Sequence, residues 1–228
     1  MASFERLVLF DIDGTLINST GHAVVFSQAF KQVYGVNADV NLINHHGMTD
    51  QQIIVEVLKK VELCEDEIHS RLNECMTTMA SYFWQIKDSI QVKILDGVCM
   101  LLDRLERESS LLGLVTGNIE RIGKGKLERA GLARYFKVGG FGSDDASRTE
   151  LVRLAVKRAE ENYNFIFNEN TFLFGDTPKD IIAGNEARVF TVGVATGIYS
   201  RDELHRAGAN YIFDNLMDTE RITRILRE

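Results

Sequence analysis

The 228-residue chain has one proline, three cysteines and one tryptophan, and no apolar run approaches the ~18 residues of a membrane span. The cysteines, Cys64, Cys75 and Cys99, are odd in number and lack CxxC or zinc spacing. They predict reduced, buried thiols in a cytoplasmic protein. A secretory leader is not predicted either, because Glu5 and Arg6 lead straight into a short apolar run with no basic region or small-residue cleavage site. Basic side chains are the minority, 26 against 33 acidic ones, for a net charge of -7. Nucleic acid is therefore not an expected partner, since a phosphate backbone needs a basic face. An acidic protein that handles phosphates would need a local remedy, such as a metal ion. Internal repeats and low-complexity stretches are also lacking.

What remains is ordinary globular composition, 45% hydrophobic and 26% charged. The length exceeds the usual single-domain size of about 150 residues, so one large domain or a core with an insert is expected. Leu7–Phe10, Leu111–Val115, Phe136–Phe141, Thr171–Phe174, Phe190–Val194 and Tyr211–Phe213 are apolar on both faces, as strands covered by helices on each side are. Helical patterns lie between them: Asp96 begins one carrying Val98, Leu101, Leu102 and Leu105, and Ser200 with Glu203 forms a capping box for another that Gly208 closes. The alternation predicts an α/β fold with a doubly wound parallel sheet.

Residues 18–91 break that rhythm. Phe26, Ala29, Phe30 and Val33 make one helical stripe, Thr49 and Gln52 suit the cap of a second helix with Ile53, Val57 and Val61, and Ile68, Leu72, Met79, Phe83 and Ile86 line a long third. This segment reads as a helical cap inserted into a core of residues 1–17 and 92–228. Met76, Met79, Phe83 and Trp84 read as its apolar centre.

In "LVLFDIDGTL" the first strand ends in Asp11 and Asp13, at the sheet edge where α/β proteins bind ligands. Residues two apart in an extended chain face the same side, so these carboxylates share one small space and repel each other unless a cation or proton intervenes. An EF-hand loop starting at Asp11 is excluded, because it would put Leu16 where glycine is required and His22 where the bidentate glutamate belongs. The second long strand ends in Thr116-Gly117-Asn118, a hydroxyl and amides at a helix N-terminus, which suits a phosphate. The fourth ends in "GDTPKD", with Asp176 beside the strand and Pro178 opening a helix whose first turn holds Asp180.

Together "DIDGTL", "VTGN" and "GDTPKDI", in this order and spacing over nearly the whole chain, resemble the haloacid dehalogenase superfamily. The likeness is to members with a helical cap after the first motif, such as phosphoglycolate phosphatase and β-phosphoglucomutase. The resemblance implies that Asp11 is a nucleophile forming an aspartyl-phosphate, and that Asp13 is the general acid and then base. It implies phosphoryl contacts from Thr116, Gly117 and Asn118. It also implies Mg²⁺ bound by Asp11, the Asp13 backbone carbonyl and Asp176, with Asp180 in support. An all-carboxylate site suits this hard ion better than zinc. Asp13 points to phosphate esters, because haloacid dehalogenases proper lack that residue.

Two departures stand out. Relatives carry a lysine, often before proline, ahead of the acidic motif, whereas "GSDDASRTELV" offers Arg148; Lys126, in "GKGKLERAGL", is the competing basic residue. "LDGV" replaces the usual Pro-Gly at the return from the insert. In "NHHGMTDQQ", His45, His46, Thr49 and Asp50 lie where relatives approach the substrate, although the residues alone read as an exposed loop and a helix cap. Asn18, Ser19 and Gly21 form the expected hinge. The expected function is hydrolysis of a small phosphorylated metabolite, of phosphoglycolate or sugar-phosphate type, by a Mg²⁺-dependent cytoplasmic phosphatase. A phosphomutase would use the same core residues, and a binding protein retaining the fold is the alternative from another class. Oligomeric state is not readable.

Overall fold

Six short apolar runs form one parallel sheet because each has helices on both sides to bury it. The computed structural model describes residues 4–167 and 170–227; the ends of the expected core, 1–3 and 228, lie outside the described residues. Strands β1 (Arg6–Phe10) and β2 (Ile17–Ser19) come first, followed by helices α1 (His22–Ala29), α2 (Asp50–Lys60), α3 (Glu65–Ser70) and α4 (Leu72–Ile86). After β3 (Val92–Ile94) the chain alternates through α5 (Val98–Arg107), β4 (Ser110–Thr116), α6 (Glu120–Arg129), β5 (Val138–Phe141), α7 (Arg148–Tyr163) and β6 (Thr171–Gly175). It ends with α8 (Pro178–Glu186), β7 (Phe190–Val194), α9 (Arg201–Arg206), β8 (Tyr211–Phe213) and α10 (Thr219–Ile225).

The sheet order is β5-β4-β1-β6-β7-β8, so β1 lies between β4 and β6, with Phe10 level with Leu114 and Phe174. Side chains alternate faces along each strand. Val8, Phe10, Leu112, Leu114, Phe172 and Phe174 pack with α5 and α10, whereas Leu7, Leu9, Leu111, Val115 and Leu173 pack with α7 and Ala183 of α8. The ends of β1, β4 and β6 are thereby brought side by side at one edge.

Residues 18–91 form a separate apolar cluster, in which Phe26, Phe30, Ile54, Val57, Met79 and Phe83 are buried and Ile119 and Ile122 of the core join them. The segment departs from expectation in four places. The short antiparallel pair β2–β3 stands at its base, a ribbon too short and too exposed to read as a buried strand. The long third helix is broken into α3 and α4 at Arg71, where the Tyr34 hydroxyl donates to the Ile68 carbonyl at 2.9 Å. Trp84 is exposed at the rim, with the Lys87 ammonium 3.9 Å from its ring centre, and is not part of the apolar centre. Only Cys75 is a buried thiol: Cys64 precedes α3 and Cys99 lies on the solvent side of α5, both exposed.

In the core, α5 begins at Val98 after Gly97, whose φ of 85° turns the chain, so Asp96 does not cap it. The run from Phe136 becomes a strand only at Val138, since Phe136 ends the short turn Ala133–Tyr135. The capping boxes of α2 and α9 form as expected, and Gly208 has a φ of 92° just beyond α9. Among the described residues no helix is long and apolar enough to cross a membrane.

Helix α7 lies so close to β5 that a Cβ on Gly140 would come 2.0 Å from the Leu151 carbonyl oxygen. Gly140→Ala is therefore expected to cost about 1–3 kcal/mol, since backbone must move to admit a methyl group. A thermal melt would read this as a Tm lower by about 2–4 °C per kcal/mol. An unchanged Tm would mean that α7 shifts freely on the sheet.

Candidate active site

The carboxyl end of β1 does not continue as a strand. Asp11 still donates its amide to the Phe174 carbonyl at 2.9 Å, but at Gly14 the chain turns with φ 86°. Ile12 is buried in the core between the two aspartates, which sends both carboxyls to the opposite side. Gly14 is needed for space as well as for its turn: a Cβ there would sit 2.3 Å from Asp176 Oδ2, and one on Gly197 would sit 1.8 Å from the same oxygen. Thr15 donates to Asp176 Oδ1 at 3.2 Å, and Thr196 donates to the Gly14 carbonyl at 2.5 Å. These two threonines hold the ends of β1 and β6 and the turn after β7 together.

Asp180 is held by the first turn of α8. Its Oδ2 accepts from the Thr177 amide at 3.0 Å and hydroxyl at 2.7 Å, completing a capping box behind Pro178. Its other oxygen accepts from Arg148 Nε at 2.6 Å, and Arg148 Nη2 reaches Asp11 Oδ1 at 2.6 Å. Arg148 is buried at the start of α7, where Ser147 caps the helix. Lys126 is also buried, but it meets the other aspartate: its Nζ lies 2.7 Å from Asp13 Oδ2 and 2.7 Å from Asn118 Oδ1. The two basic candidates therefore do not compete for one place. Lys126 stands behind Asp13 and is not part of the cleft wall.

Asp11, Asp13, Thr116, Gly117, Asn118, Arg148 and Asp176 line one cleft of about 260 Å³. Asp180 lies beneath it, and the Asn118 amide is turned toward Thr116 Oγ1 at 3.3 Å. From the other side come His22, His45, His46, Met48 and Asp50. The imidazoles of His22 and His45 stack at 6.0 Å and those of His45 and His46 at 4.9 Å, and His45 Nδ1 is buried without a hydrogen-bond partner. His22 opens α1, and nothing in its local pattern distinguishes it from any helix-starting residue. Thr15, Thr177 and Thr196 were equally unmarked, since single hydroxyls carry no spacing. A larger space of about 690 Å³, between Met48, Val55 and Leu72 on one side and α7 and α8 on the other, touches Arg148 but none of the clustered carboxyls.

The loop before α2 is hydrogen-bonded to the core. Asp50 donates its amide to the Gly117 carbonyl at 2.8 Å and accepts the Ile119 amide on its carboxyl at 2.8 Å; Thr49 Oγ1 donates to the Ala146 carbonyl at 3.0 Å. Thr49 is thus both cap and tether.

Charge is unbalanced here. Asp11, Asp13, Asp50, Asp176 and Asp180 face only Arg148 and Lys126 as buried cations. Burial, with the neighbouring Asp180 and Asp13, raises Asp11 to about 7 in spite of Arg148. Burial with Asp180 and Asp11 raises Asp176 to about 8, and burial raises Asp50 to about 7. Asp13 goes the other way: burial pushes its carboxyl up, but the charge and hydrogen bond of Lys126, with Asn118, outweigh this and bring it to about 2. Oxygens of Asp11, Asp176 and Asp180 lie within 4.8 Å of one another, a spacing that suits a metal ion.

The sequence profile of the haloacid dehalogenase-like hydrolases matches residues 8–194. The chain belongs to this family. A pyrophosphatase, PpaX, of Oceanobacillus iheyensis is 24% identical over 219 residues, covering 93% of this chain and 94% of that one. A phosphoglycolate phosphatase of Vibrio cholerae is 22% identical, covering 92% and 93%. The crystal structure of a predicted phosphatase from Clostridium acetobutylicum superposes with a TM-score of 0.69 at 25% identity, covering 99% of this chain and all of that one. In this hydrolase, the carboxyl cluster therefore lies within the part of the chain that the family shares.

The raised carboxyls set a pH dependence. Asp11, Asp50 and Asp176 hold protons in the folded chain at pH values where the unfolded chain, near the ordinary 3.8, has lost them. Stability of the metal-free protein should fall as pH rises from about 4 toward 8; Asp13 acts in the opposite sense, and only below about pH 4. In chelator, Asp176→Asn should melt a few degrees above the wild type at pH 8, with a smaller loss between pH 5 and pH 8. A wild-type Tm that is flat over that range would contradict the crowding.

Proposed function

We propose that the chain is a Mg²⁺-dependent phosphatase of small phosphomonoesters, working through a phosphorylated Asp11. The observation that carries this reading is the convergence of Asp11, Asp13, Thr116 and Asp176 on one small cleft, with Arg148 bonded to a single oxygen of Asp11. Asp11 Oδ1 is held by Arg148, and Oδ2 is the attacking atom. Its bond to phosphorus forms as the ester P–O bond breaks; Asp13, which Lys126 holds ionised in the resting chain, takes up a proton from solvent as the phosphate arrives and passes it to the departing alkoxide. Asp13, now ionised, takes a proton from the water that attacks the phosphoryl group on Asp11. Inorganic phosphate leaves and the Asp11 carboxylate returns.

The donor set fits Mg²⁺: oxygens of Asp11, Asp176 and Asp180 cluster within reach of one ion, and burial, with their like-charged neighbours, pushes the Asp11 and Asp176 carboxyls up. Asp11, Asp176 and the Asp13 backbone carbonyl would hold the ion, while Asp180 holds Arg148. When bound, the ion supplies the positive charge that lets a dianionic phosphate approach the carboxylates. Arg148 fixes the orientation of Asp11, and Thr116 presents its hydroxyl to a phosphoryl oxygen.

Residues 18–91 serve as a cap. The hydrogen bonds from Thr49 and Asp50 to the core support a closed arrangement in which the histidine face excludes bulk water from the phosphoryl group. Asn18, Ser19 and Gly21, in and just beyond β2, serve as the hinge. The size of the cleft favours a short alcohol portion, and relatives named as phosphoglycolate phosphatase and pyrophosphatase agree with a small substrate.

The test is release of inorganic phosphate from p-nitrophenyl phosphate, which should require Mg²⁺ and fall by about 10³-fold or more in folded Asp11→Asn. Arg148→Ala should lower kcat by about 10²-fold. Retained activity in Asp11→Asn would rule out the nucleophile, and full activity in EDTA would rule out the metal. A panel of phosphoglycolate, pyrophosphate and sugar phosphates, followed for phosphate and for isomers together, identifies the alcohol and separates a phosphatase from a mutase.

Mg²⁺ should also raise Tm, and more at pH 8 than at pH 5.5, because its ligands must lose their protons first. An equal rise at both pH values would place the ion elsewhere.

A further inference from the structure

The insert presents a carboxyl group to the cleft. Asp50, the first residue of α2, is 2% exposed and lines the cleft wall. Its carboxyl is close enough to Lys126 and Asp13 to feel the charge of both. Asp50 Oδ2 accepts the Ile119 amide at 2.8 Å, and the Asp50 amide donates to the Gly117 carbonyl at 2.8 Å. Backbone and side chain are thus both tied to the core, which fixes where the carboxyl stands.

The rest of that wall is largely imidazole. His22, His45 and His46 line the cleft with Asp50, and Nδ1 of His45 is buried without a hydrogen-bond partner. A buried polar atom in that state costs free energy until a ligand or water bonds to it. Among the described residues that line the cleft, Arg148 is the only lysine or arginine, and its guanidinium is committed to Asp11, Asp180 and the Gly47 carbonyl. Lys126 is committed to Asp13 and Asn118. The wall opposite the phosphoryl contacts therefore offers a fixed carboxyl and imidazoles to the substrate's alcohol, and no uncommitted cation.

We propose that Asp50 selects the alcohol: the cleft takes a phosphate ester of a short, uncharged polyol and rejects esters whose far end is a carboxylate or a second phosphate. This rests on the phosphatase reading. A hydroxyl both donates and accepts, so one diol donates to Asp50 Oδ1 and also serves His45 in either tautomer. A carboxylate or phosphate only accepts, and would meet Asp50 oxygen to oxygen where charge is poorly screened. A cationic alcohol is disfavoured too, because the Lys126 charge already acts on Asp50. The cleft, about 260 Å³, limits the polyol to a short chain such as glycerol. Phosphoglycolate and pyrophosphate, which name two relatives, are then poor substrates here.

Release of inorganic phosphate in Mg²⁺ at pH 8 tests this, because an ordinary imidazole is uncharged there and Asp50, which burial raises to about 7, has lost its proton. Wild-type kcat/KM for glycerol 3-phosphate should exceed that for 2-phosphoglycolate, pyrophosphate and phosphoethanolamine by at least about tenfold. Asp50→Asn keeps the shape and, through its side-chain oxygen, an acceptor for the Ile119 amide, while it turns an NH₂ toward the ligand. In that variant the ratio of kcat/KM for glycerol 3-phosphate to that for 2-phosphoglycolate should fall at least about tenfold. Damage to packing alone would lower both alike and leave the ratio where it was.

An equal or reversed ranking of the esters by the wild type would overturn the proposal, as would an unchanged ratio in folded Asp50→Asn. The wild-type ranking needs no variant, so it decides the matter even if Asp50→Asn does not fold. Turnover of p-nitrophenyl phosphate without turnover of glycerol 3-phosphate would overturn the polyol and leave the phosphatase reading standing. Turnover of none of these esters would overturn the phosphatase reading itself, and this specificity with it.

Discussion

Five carboxyl groups packed around two buried cations are the constraint on which the rest of the site depends. No apolar core requires such an arrangement, and burial makes it worse by weakening the solvation of every ionised oxygen. The surroundings divide the carboxyls into two kinds. Asp180 and Asp13 are satisfied by bonds within the protein: the first by the Thr177 cap and Arg148, the second by Lys126, Asn118 and Ser19. Asp11 and Asp176 have one side-chain donor each, Arg148 and Thr15, and with Asp50 they are the carboxyls pushed well above the ordinary range. The division follows from donor placement, since all of these are the same carboxyl chemistry.

The two cations are not interchangeable. Arg148 bridges Asp180 and Asp11 with a planar guanidinium, using Nε on one carboxylate and Nη2 on the other, a span that a single ammonium would not order in the same way. Asp180, held by the capping box of α8, gives this fork a second anchor beside Asp11. Lys126 meets a different need. Asp13 and Asn118 present two oxygens to one compact charge, which a donor with rotational freedom can satisfy together.

Much of this was legible before any coordinates. The six strands were marked by runs apolar on both faces, and the ends of β1, β4 and β6 by an abrupt change to Asp, Thr and Gly, because a buried strand can stop being apolar only where the sheet ends. The α/β architecture and the clustering of Asp11, Thr116 and Asp176 follow from that. Other features were not legible, for particular reasons. The break at Arg71 depends on Tyr34, 37 positions earlier, whose hydroxyl takes the Ile68 carbonyl. The β2–β3 ribbon is three residues per strand and half-exposed, below the length at which periodicity is a signal. Trp84 and Cys99 obeyed composition in name only, since neither a helical stripe nor a residue type says which flank of the helix a neighbour will cover.

The placement of Lys126 shows why spacing treats first and second contacts unequally. Arg148 is adjacent to the capping residue Ser147 at the start of α7, and a helix start beside the sheet edge points its first side chain into the site. Lys126 is six residues into α6, the same helix whose first turn follows Thr116, and its distance along the sequence gives no hint that it returns to Asp13. It does so because α6 runs back beneath the insert: Ile119 and Ile122 pack into the insert's apolar cluster, and Gly125 lets Phe83 approach. Packing of residues 18–91 against α6 therefore does more than cover the cleft. It holds the helix that carries Lys126, and so ties the insert's position to the Asp13 carboxyl.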